Sequence, residues 1–362
     1  MRILCVIDSL GSGGAQRQLV ELAKGFKKKG RDVSFLVYHS ENFFKDLLDE
    51  SGIRVKEIID PNYLSRLIKM RKFIRDGNFD VVLSFLEAAN FICEISGLPS
   101  RKWKLIVGER SANPKILKSF KLRFYRWFHL FADYVVANSF ENLKIVKKIN
   151  PLLPERKCKV ISNMVDLDQW KPSSNYIPLK FNRLKILTAG SHLFNKNLNG
   201  LIEGVNELET KEKEKLIINW YGKLGSDSSY KEGLDLITTY SLENIFNFYP
   251  ETLELPDRMQ EADVVGLFSY YEGLPNVVCE GMATGKPIIA SNISDVPLLV
   301  SQKNGFLCDP NDFKSITMAL RNALNLNNID IVHMGEASRN YAMALFSQEV
   351  ILEKYENLID LN

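Results

Sequence analysis

A chain of 362 residues, 45% hydrophobic and 25% charged, is too long for one ordinary core and long enough for two domains. Its net charge of +3 conceals an asymmetry: residues 1–180 hold 32 Lys and Arg against 19 Asp and Glu, whereas residues 181–362 hold 15 against 25. Five scattered cysteines, an odd number with no Cys-x-x-Cys pair, exclude a disulfide framework and a paired-cysteine zinc site; the lack of any long apolar run excludes a signal-peptide core and a membrane span, so a cytoplasmic setting is expected.

Short apolar, β-branched runs alternate with longer amphipathic stretches from the first residue, the signature of βα units and a parallel sheet. Residues 2–7 are predicted as the first strand, followed by a turn with Gly11, Gly13 and Gly14, a helix over 15–29, a stop at Gly30 and a second strand over 33–38. Gly52 and Gly77 end further helices ahead of strands at 53–58 and 81–85, and more strands are read at 105–107, 134–137 and 159–161. The stretch 115–131 predicts an amphipathic helix with Ile116, Phe120, Phe124, Trp127, Phe128 and Phe131 on one face and Lys115, Lys118, Arg123 and Arg126 elsewhere. It reads either as a core-covering helix with a solvated basic face or as a helix lying on an anionic membrane surface.

The polar, proline-containing stretch 171–182 interrupts the rhythm. The first domain is therefore placed at 1–172, a linker at 173–182 and a second α/β domain at 183–346, with strands at 184–189, 216–221, 245–248, 264–268 and 287–290. Residues 347–362 predict a closing helix capped by Ser347, its Val350, Ile351, Leu352, Tyr355 and Leu358 spaced to pack back on the N-terminal domain.

The densest chemistry lies at 269–287, directly after a predicted buried strand. Gly273 and Pro275 force a turn at the strand's carboxyl end, and a helix beginning near Asn276 offers free N–H groups to an anion. Ligands of open α/β sheets bind at such ends. Glu272 sits on the turn and Glu280 farther along the helix, so one carboxylate can accept hydroxyl hydrogen bonds from a sugar and the other from a ribose. The plainer reading is a solvated loop carboxylate and a helix-surface charge. The glycine turn after the first strand lets backbone approach a phosphate or a sugar closely, or is simply a tight turn. It is not a dinucleotide fingerprint, because Gln16 stands where the third glycine belongs and Tyr38, His39 and Ser40 put no acid at the end of the second strand. His39, His129, His192 and His333 lie in different segments without ligand spacing, so neither a metal nor any other cofactor is expected.

Glu272 and Glu280 have seven residues between them, with Glu-Gly-Leu-Pro-Asn at 272–276 and Gly285, Lys286 and Pro287 after them. This pattern resembles the retaining glycosyltransferases of family 4, whose GT-B fold consists of two Rossmann-like parallel-sheet α/β domains facing across a cleft. The resemblance runs nearly the whole chain, through Gly13, Gly14, Ala15 and Gln16 and the segments 136–139, 163–166, 190–196, 262–264 and 305–307. It implies transfer of a sugar, with retention, from a UDP-sugar or GDP-sugar to a glycan or lipid-linked acceptor in cell-surface polysaccharide or lipopolysaccharide synthesis. In such a protein Glu280 binds the nucleotide ribose and Glu272 lies beside the transferred sugar. The backbone of Gly273, Leu274, Asn276 and Val277 meets sugar hydroxyls and phosphate, with Pro275 having no N–H to give, and Gly13 and Gly14 approach the donor.

Segment 190–196 resembles the family's diphosphate clamp, in which an Arg follows Gly190 and a Lys comes six residues after that glycine. Lys196 matches and Ser191 stands in place of the Arg, so another cation assists or the phosphate is held differently, with His192 and Asn195 as polar candidates. The histidine that many members carry after the fifth strand is also missing from Gly108, Glu109, Arg110 and Ser111; Arg110 or Glu109 is expected to take its role. Met164 stands where a glycine is usual, and base contacts are expected from backbone around 248–252, ending in Thr252.

The basic N-terminal half adds an expectation of peripheral attachment to the inner face of the cell membrane, and no nucleic-acid motif accompanies it. Two alternatives stay open. A sugar-nucleotide epimerase can share the architecture but needs further acid and base groups, and a non-catalytic sugar-nucleotide binder fits Ser191 and the missing histidine.

Overall fold

The computed structural model describes residues 1–179 and 182–360. Contacts divide them into two units, one of Met1–Met164 with the closing helix Gln348–Asp360 and one of Val165–Ser347.

In the first unit, β1 (Arg2–Val6), β2 (Asp32–Val37), β3 (Arg54–Glu57), β4 (Val81–Phe85), β5 (Lys104–Glu109), β6 (Tyr134–Ala137) and β7 (Cys158–Val160) form one parallel sheet in the order β3-β2-β1-β4-β5-β6-β7. The order reverses beside β1, as in Rossmann-like folds, and β4 is buried at all five positions because helices cover both faces. Alternate strand residues serve opposite cores: Ile3, Cys5, Phe35 and Leu83 pack with the helix Gly14–Lys28, while Leu4, Val82, Leu105 and Val135 pack with Ile92 and Cys93. The closing helix adds Ile351, Leu352, Tyr355, Leu358 and Ile359 to the first of these, with Tyr355 edge-on to Phe26 at 6.5 Å. At about 1.5–3 kcal/mol per buried large side chain, that helix is an integral part of the core.

The stretch 115–131 is not one helix. It breaks at Ser119, whose hydroxyl caps a new helix Phe120–Trp127 by accepting from Leu122 N at 3.4 Å, and a tighter turn, Phe128–Phe131, follows. The predicted faces change with it. Phe120 is 83% exposed and Phe124, Trp127 and Phe131 are 40–44% exposed, whereas Arg126 is fully buried. The helical phase lost at Ser119 explains the error, and carboxylates distant in sequence draw Arg126 inward.

In the second unit, β8 (Leu184–Ala189), β9 (Leu216–Tyr221), β10 (Phe246–Tyr249), β11 (Val264–Leu267), β12 (Ile288–Ser291) and β13 (Gly305–Cys308) form a parallel sheet ordered β10-β9-β8-β11-β12-β13. The edge strand β13 was not among the predicted strands; it is four residues long with two half-exposed positions, too brief for a periodic signal. Ile186, Ile218, Trp220 and Val264 face one core, and Leu187, Val265 and Leu267 face another that holds Val277, Val278 and Met282 of the helix Asn276–Ala283.

The division of the chain falls after Met164 rather than after residue 172. Val165 N donates to Phe346 O at 2.9 Å, Trp170 is buried, and Arg339 donates to the carbonyls of Leu167 and Trp170, so residues 165–172 belong to the second unit. Two motif residues serve the same purpose at the amino ends of the strands. Asp263 accepts from Tyr176 Oη at 2.6 Å and from the amides of Leu179 and Lys185, and Lys286 Nζ lies 3.3 Å from the Tyr176 ring centroid while donating to Gln260 O. Burial pulls Lys286 down to about 7.

Candidate active site

In the second unit the loops after β8 and β11 meet. Gly190 follows β8, and a short turn over Phe194–Lys196 brings Lys196 Nζ to 2.5 Å from Glu272 Oε1, an oxygen that also accepts from Ser269 Oγ at 2.8 Å. The Lys196 side chain runs across Gly190, its Cε only 3.1 Å from where a Cβ would stand, so a side chain at 190 would displace it. Asn195 contributes its carbonyl, which accepts from Tyr270 N at 2.8 Å, and Ser191 is half-buried at the end of β8.

Gly273, Leu274 and Pro275 lead into the helix Asn276–Ala283 with Pro275 at its cap. Ser294 Oγ donates to Gly273 O at 2.7 Å and Leu274 is buried, so the turn is held from both sides. Asn276 and Val277 open the helix, where first-turn amides have no acceptor within the helix and the dipole favours an anion. Glu280, one turn further, is 3% exposed and so is not a surface charge. Thr252 follows β10 and accepts from Glu254 N at 3.1 Å through its hydroxyl.

His192 does not join this group. It is buried among Trp220, Tyr230 and Phe248, with ring centroids 4.7–5.5 Å away, and desolvation holds its pKa below the usual histidine value. An anchor that the sequence reading missed is Asn197, left-handed at φ 60°, whose Nδ2 donates to Phe268 O and Pro310 O and whose Oδ1 accepts from Gly200 N. It ties the loops after β8, β11 and β13 together; its only local signal was an Asn just ahead of a helix.

In the first unit, Gly13 caps the helix that Gly14 begins, and the space a Cβ would need at Gly13 is taken by the Gln16 carboxamide. Gln16 Nε2 donates to Asp8 Oδ1 at 2.8 Å and Ser9 Oγ donates to Glu41 Oε2 at 3.0 Å. Burial raises the Asp8 carboxyl above its ordinary value, opposed by the Ser9 amide and Gln16. With Asp8 and Glu41 beside it, this glycine turn suits a hydroxyl-bearing group better than a phosphate.

Arg110 follows β5. Its Nη2 donates to Tyr355 Oη at 2.5 Å, its Nη1 to Asn163 Oδ1 at 3.4 Å, and its guanidinium carbon lies 3.8 Å from the Phe85 ring centroid. Those contacts tie the end of β5 to the closing helix. Glu109, before it, is 2% exposed and held by Arg126 Nη2 at 2.6 Å and His129 Nε2 at 3.0 Å, while His129 Nδ1 meets Glu94 at 2.6 Å. Burial alone would raise Glu109, yet Arg126 and His129 bring it down to about 2; burial would lower His129, yet Glu94 and Glu109 lift it to about 9. Glu109 is thus spent on a buried ion network, which sequence spacing gave no means to foresee.

Two all-parallel sheets with helical crossovers define a pair of Rossmann-like domains, here carrying a lysine, a carboxylate and a helix start at the strand ends of the second. Residues 12–169 match Glycosyltransferase Family 4 and residues 175–341 match Glycosyl transferases group 1, so the chain belongs to family 4 of the glycosyltransferases, with the GT-B architecture. It is 26% identical over 361 residues to an uncharacterized glycosyltransferase of Haemophilus influenzae, covering 96% of both chains. It is 28% identical over 300 residues to an alpha-1,4-N-acetyl-D-galactosaminyltransferase of Campylobacter jejuni named for a PP-undecaprenol-linked glycan, covering 78% of this chain and 77% of that one. Among solved structures it resembles Anabaena HepE in complex with UDP-glucose, with a TM-score of 0.88, 21% identity and full coverage of both chains.

Proposed function

We propose that this glycosyltransferase takes a sugar from a nucleoside diphosphate sugar, UDP- or GDP-linked, and passes it with retention to a glycan or lipid-linked acceptor in cell-surface polysaccharide synthesis. The observation that carries the reading is the Lys196–Glu272 pair beside the start of the helix Asn276–Ala283. Breaking the bond from the anomeric carbon to the diphosphate leaves negative charge on the phosphate and positive charge on the sugar. Lys196 and the first-turn amides stabilise the former, and Glu272 orients sugar hydroxyls. The acceptor oxygen bonds to the anomeric carbon on the face the diphosphate leaves, and its proton passes to the departing phosphate. Glu280 holds the ribose.

HepE was solved with UDP-glucose, which supports starting the donor search with UDP-sugars. A thermal-shift panel of UDP, GDP and their sugars should give a stabilising ligand, and Lys196→Ala and Glu280→Ala should weaken it. Wild-type indifference to every nucleoside diphosphate, or full binding and turnover in both variants, would refute the reading. Donor incubated without acceptor should yield no epimer.

For the acceptor side, the exposed rings of Phe120, Phe124 and Phe131 form a chain through Phe128, with centroid separations of 5.2–6.5 Å, and Lys118, Lys121 and Arg123 share the segment. Exposed aromatic rings on a segment that also carries exposed cations suit an anionic lipid surface. The relative named for a PP-undecaprenol-linked glycan supports the same direction, and among the described residues no helix is long and apolar enough to cross a membrane. Flotation with vesicles rich in anionic lipid should carry the protein upward, and Phe120→Asp with Phe124→Asp should abolish this; unchanged flotation of the double variant would sink the attachment.

A further inference from the structure

We propose that Lys223 is the second cation of the donor diphosphate site, serving from β9's loop the place that Ser191 leaves without charge. The inference rests on the donor-binding reading above. Its starting point is charge: Lys196 is already paired with Glu272 at 2.5 Å, so together they bring no net positive charge to a diphosphate.

Register supplies the partner. Ala189 pairs with Tyr221 at the end of β8 and β9, and an isolated parallel bridge joins His192 to Leu224. Gly190 N donates to Tyr221 O and His192 N to Lys223 O, both at 2.9 Å, so the ladder continues without a slip and places Ser191 opposite Lys223. The two backbones come so close that a Cβ at Gly222 would run into Gly190 O.

Alternation then gives the face. His192 is packed on Trp220 and Phe248, whose side serves one core of the sheet. Ser191 and Lys223 therefore belong to the opposite side, that of Ala189 and Tyr221, which pack against the core containing Val277 of the helix Asn276–Ala283. Lys196 reaches the same strand end from the other face, its Nζ 3.5 Å from where a Gly190 Cβ would stand. Among the described residues Lys223 is exposed and has no carboxylate within ion-pair distance, whereas Arg258, in the helix Leu255–Gln260 after β10, is paired with Glu254 at 2.7 Å. A flexible four-carbon stem spans the ~4.8 Å between neighbouring strands, so the ammonium of Lys223 can occupy the space above Ser191.

The test is calorimetric titration of UDP, and of GDP, into wild type, Lys196→Ala, Lys223→Ala and the double variant Lys223→Ala with Ser191→Arg. Lys223→Ala should weaken the nucleotide that wild type binds by about tenfold or more, and the guanidinium added by Ser191→Arg should restore most of the loss; unchanged thermal unfolding checks the fold of an exposed-site variant. Loss in Lys196→Ala with Lys223→Ala within about twofold of wild type, well under the ~1.4 kcal/mol of a tenfold change, would overturn the role of Lys223 and leave the donor site standing. Loss in Lys223→Ala that Ser191→Arg does not recover would overturn it too. Failure of wild type to bind either nucleotide would overturn the donor reading and this inference together.

Discussion

Replacing Glu272 by Gln removes one charge from the Lys196–Glu272 pair while keeping an oxygen for the Ser269 hydroxyl, which lies 2.8 Å from Oε1. The two side chains are 22% and 17% exposed, so the pair is shielded but not sealed. At an effective dielectric of about 20, unit charges ~3 Å apart attract by roughly 5 kcal/mol, and desolvation, side-chain entropy and screening reduce this to about 1–2 kcal/mol net. In the proposed donor site, a nucleoside diphosphate has to win Lys196 from Glu272 against that amount. Glu272→Gln should therefore bind UDP, or whichever diphosphate the wild type binds, about 5- to 30-fold more tightly. Turnover should move the other way, falling about 10- to 150-fold, because a charged acceptor for sugar hydroxyls is lost. Calorimetry on the diphosphate and initial rates on its sugar separate the two effects. If Glu272→Gln instead weakens the diphosphate as much as Lys196→Ala does, the pair acts as one support for the loop and the competition does not exist.

Arg126→Met should cost the first unit about 3–5 kcal/mol in denaturant unfolding, since it leaves Glu109 buried without its 2.6 Å partner, and adding Glu109→Gln should recover part of it. His129, lifted from 6.5 to about 9 by its two carboxylates, binds its proton more firmly when folded, so its contribution is complete below about 6.5 and is lost as pH rises through about 9. Thermal unfolding across that range should show the decline, and His129→Gln should flatten it. Glu109 runs the opposite way: lowered from 4.5 to about 2, it stabilises above 4.5 and that part is lost as pH falls through about 2. Asn197→Ala removes the donor to Phe268 O and Pro310 O and should lower stability by about 2–3 kcal/mol while raising the KM for the donor sugar; an unchanged KM would mean the loops hold their positions without it.

What the sequence made legible was local. The strands at 81–85, 134–137, 184–189 and 216–221 coincide with observed β4, β6, β8 and β9, because apolar runs between glycine stops need no knowledge of their partners. The turn at Gly273 and Pro275 and the helix beginning at Asn276 were readable for the same reason. The illegible features depend on which distant residues meet. Nothing in the spacing of Glu94, Glu109, Arg126 and His129 says that four ionisable groups share one dry interior, yet each alone would be too costly to bury. Arg126 was placed away from the apolar face of its helix because periodicity records where apolar side chains point, and a buried arginine breaks that record only when its carboxylates are already known.

The same limit explains why the serine at 191, where the resemblance to the family implies an arginine, looked like a defect. Residue by residue, Ser191 is a loss of charge beside Lys196. A phosphate, however, responds to the field at a point in space, and neighbouring parallel strands deliver residues far apart in sequence to points ~4.8 Å apart. With Ser191 opposite Lys223, a cation moved from one strand end to the next is displaced by only about one strand spacing. Substitutions that look disabling along the chain are thus best judged across the sheet, and the Ser191→Arg rescue asks directly whether charge at that point, rather than identity at that position, is what the site requires.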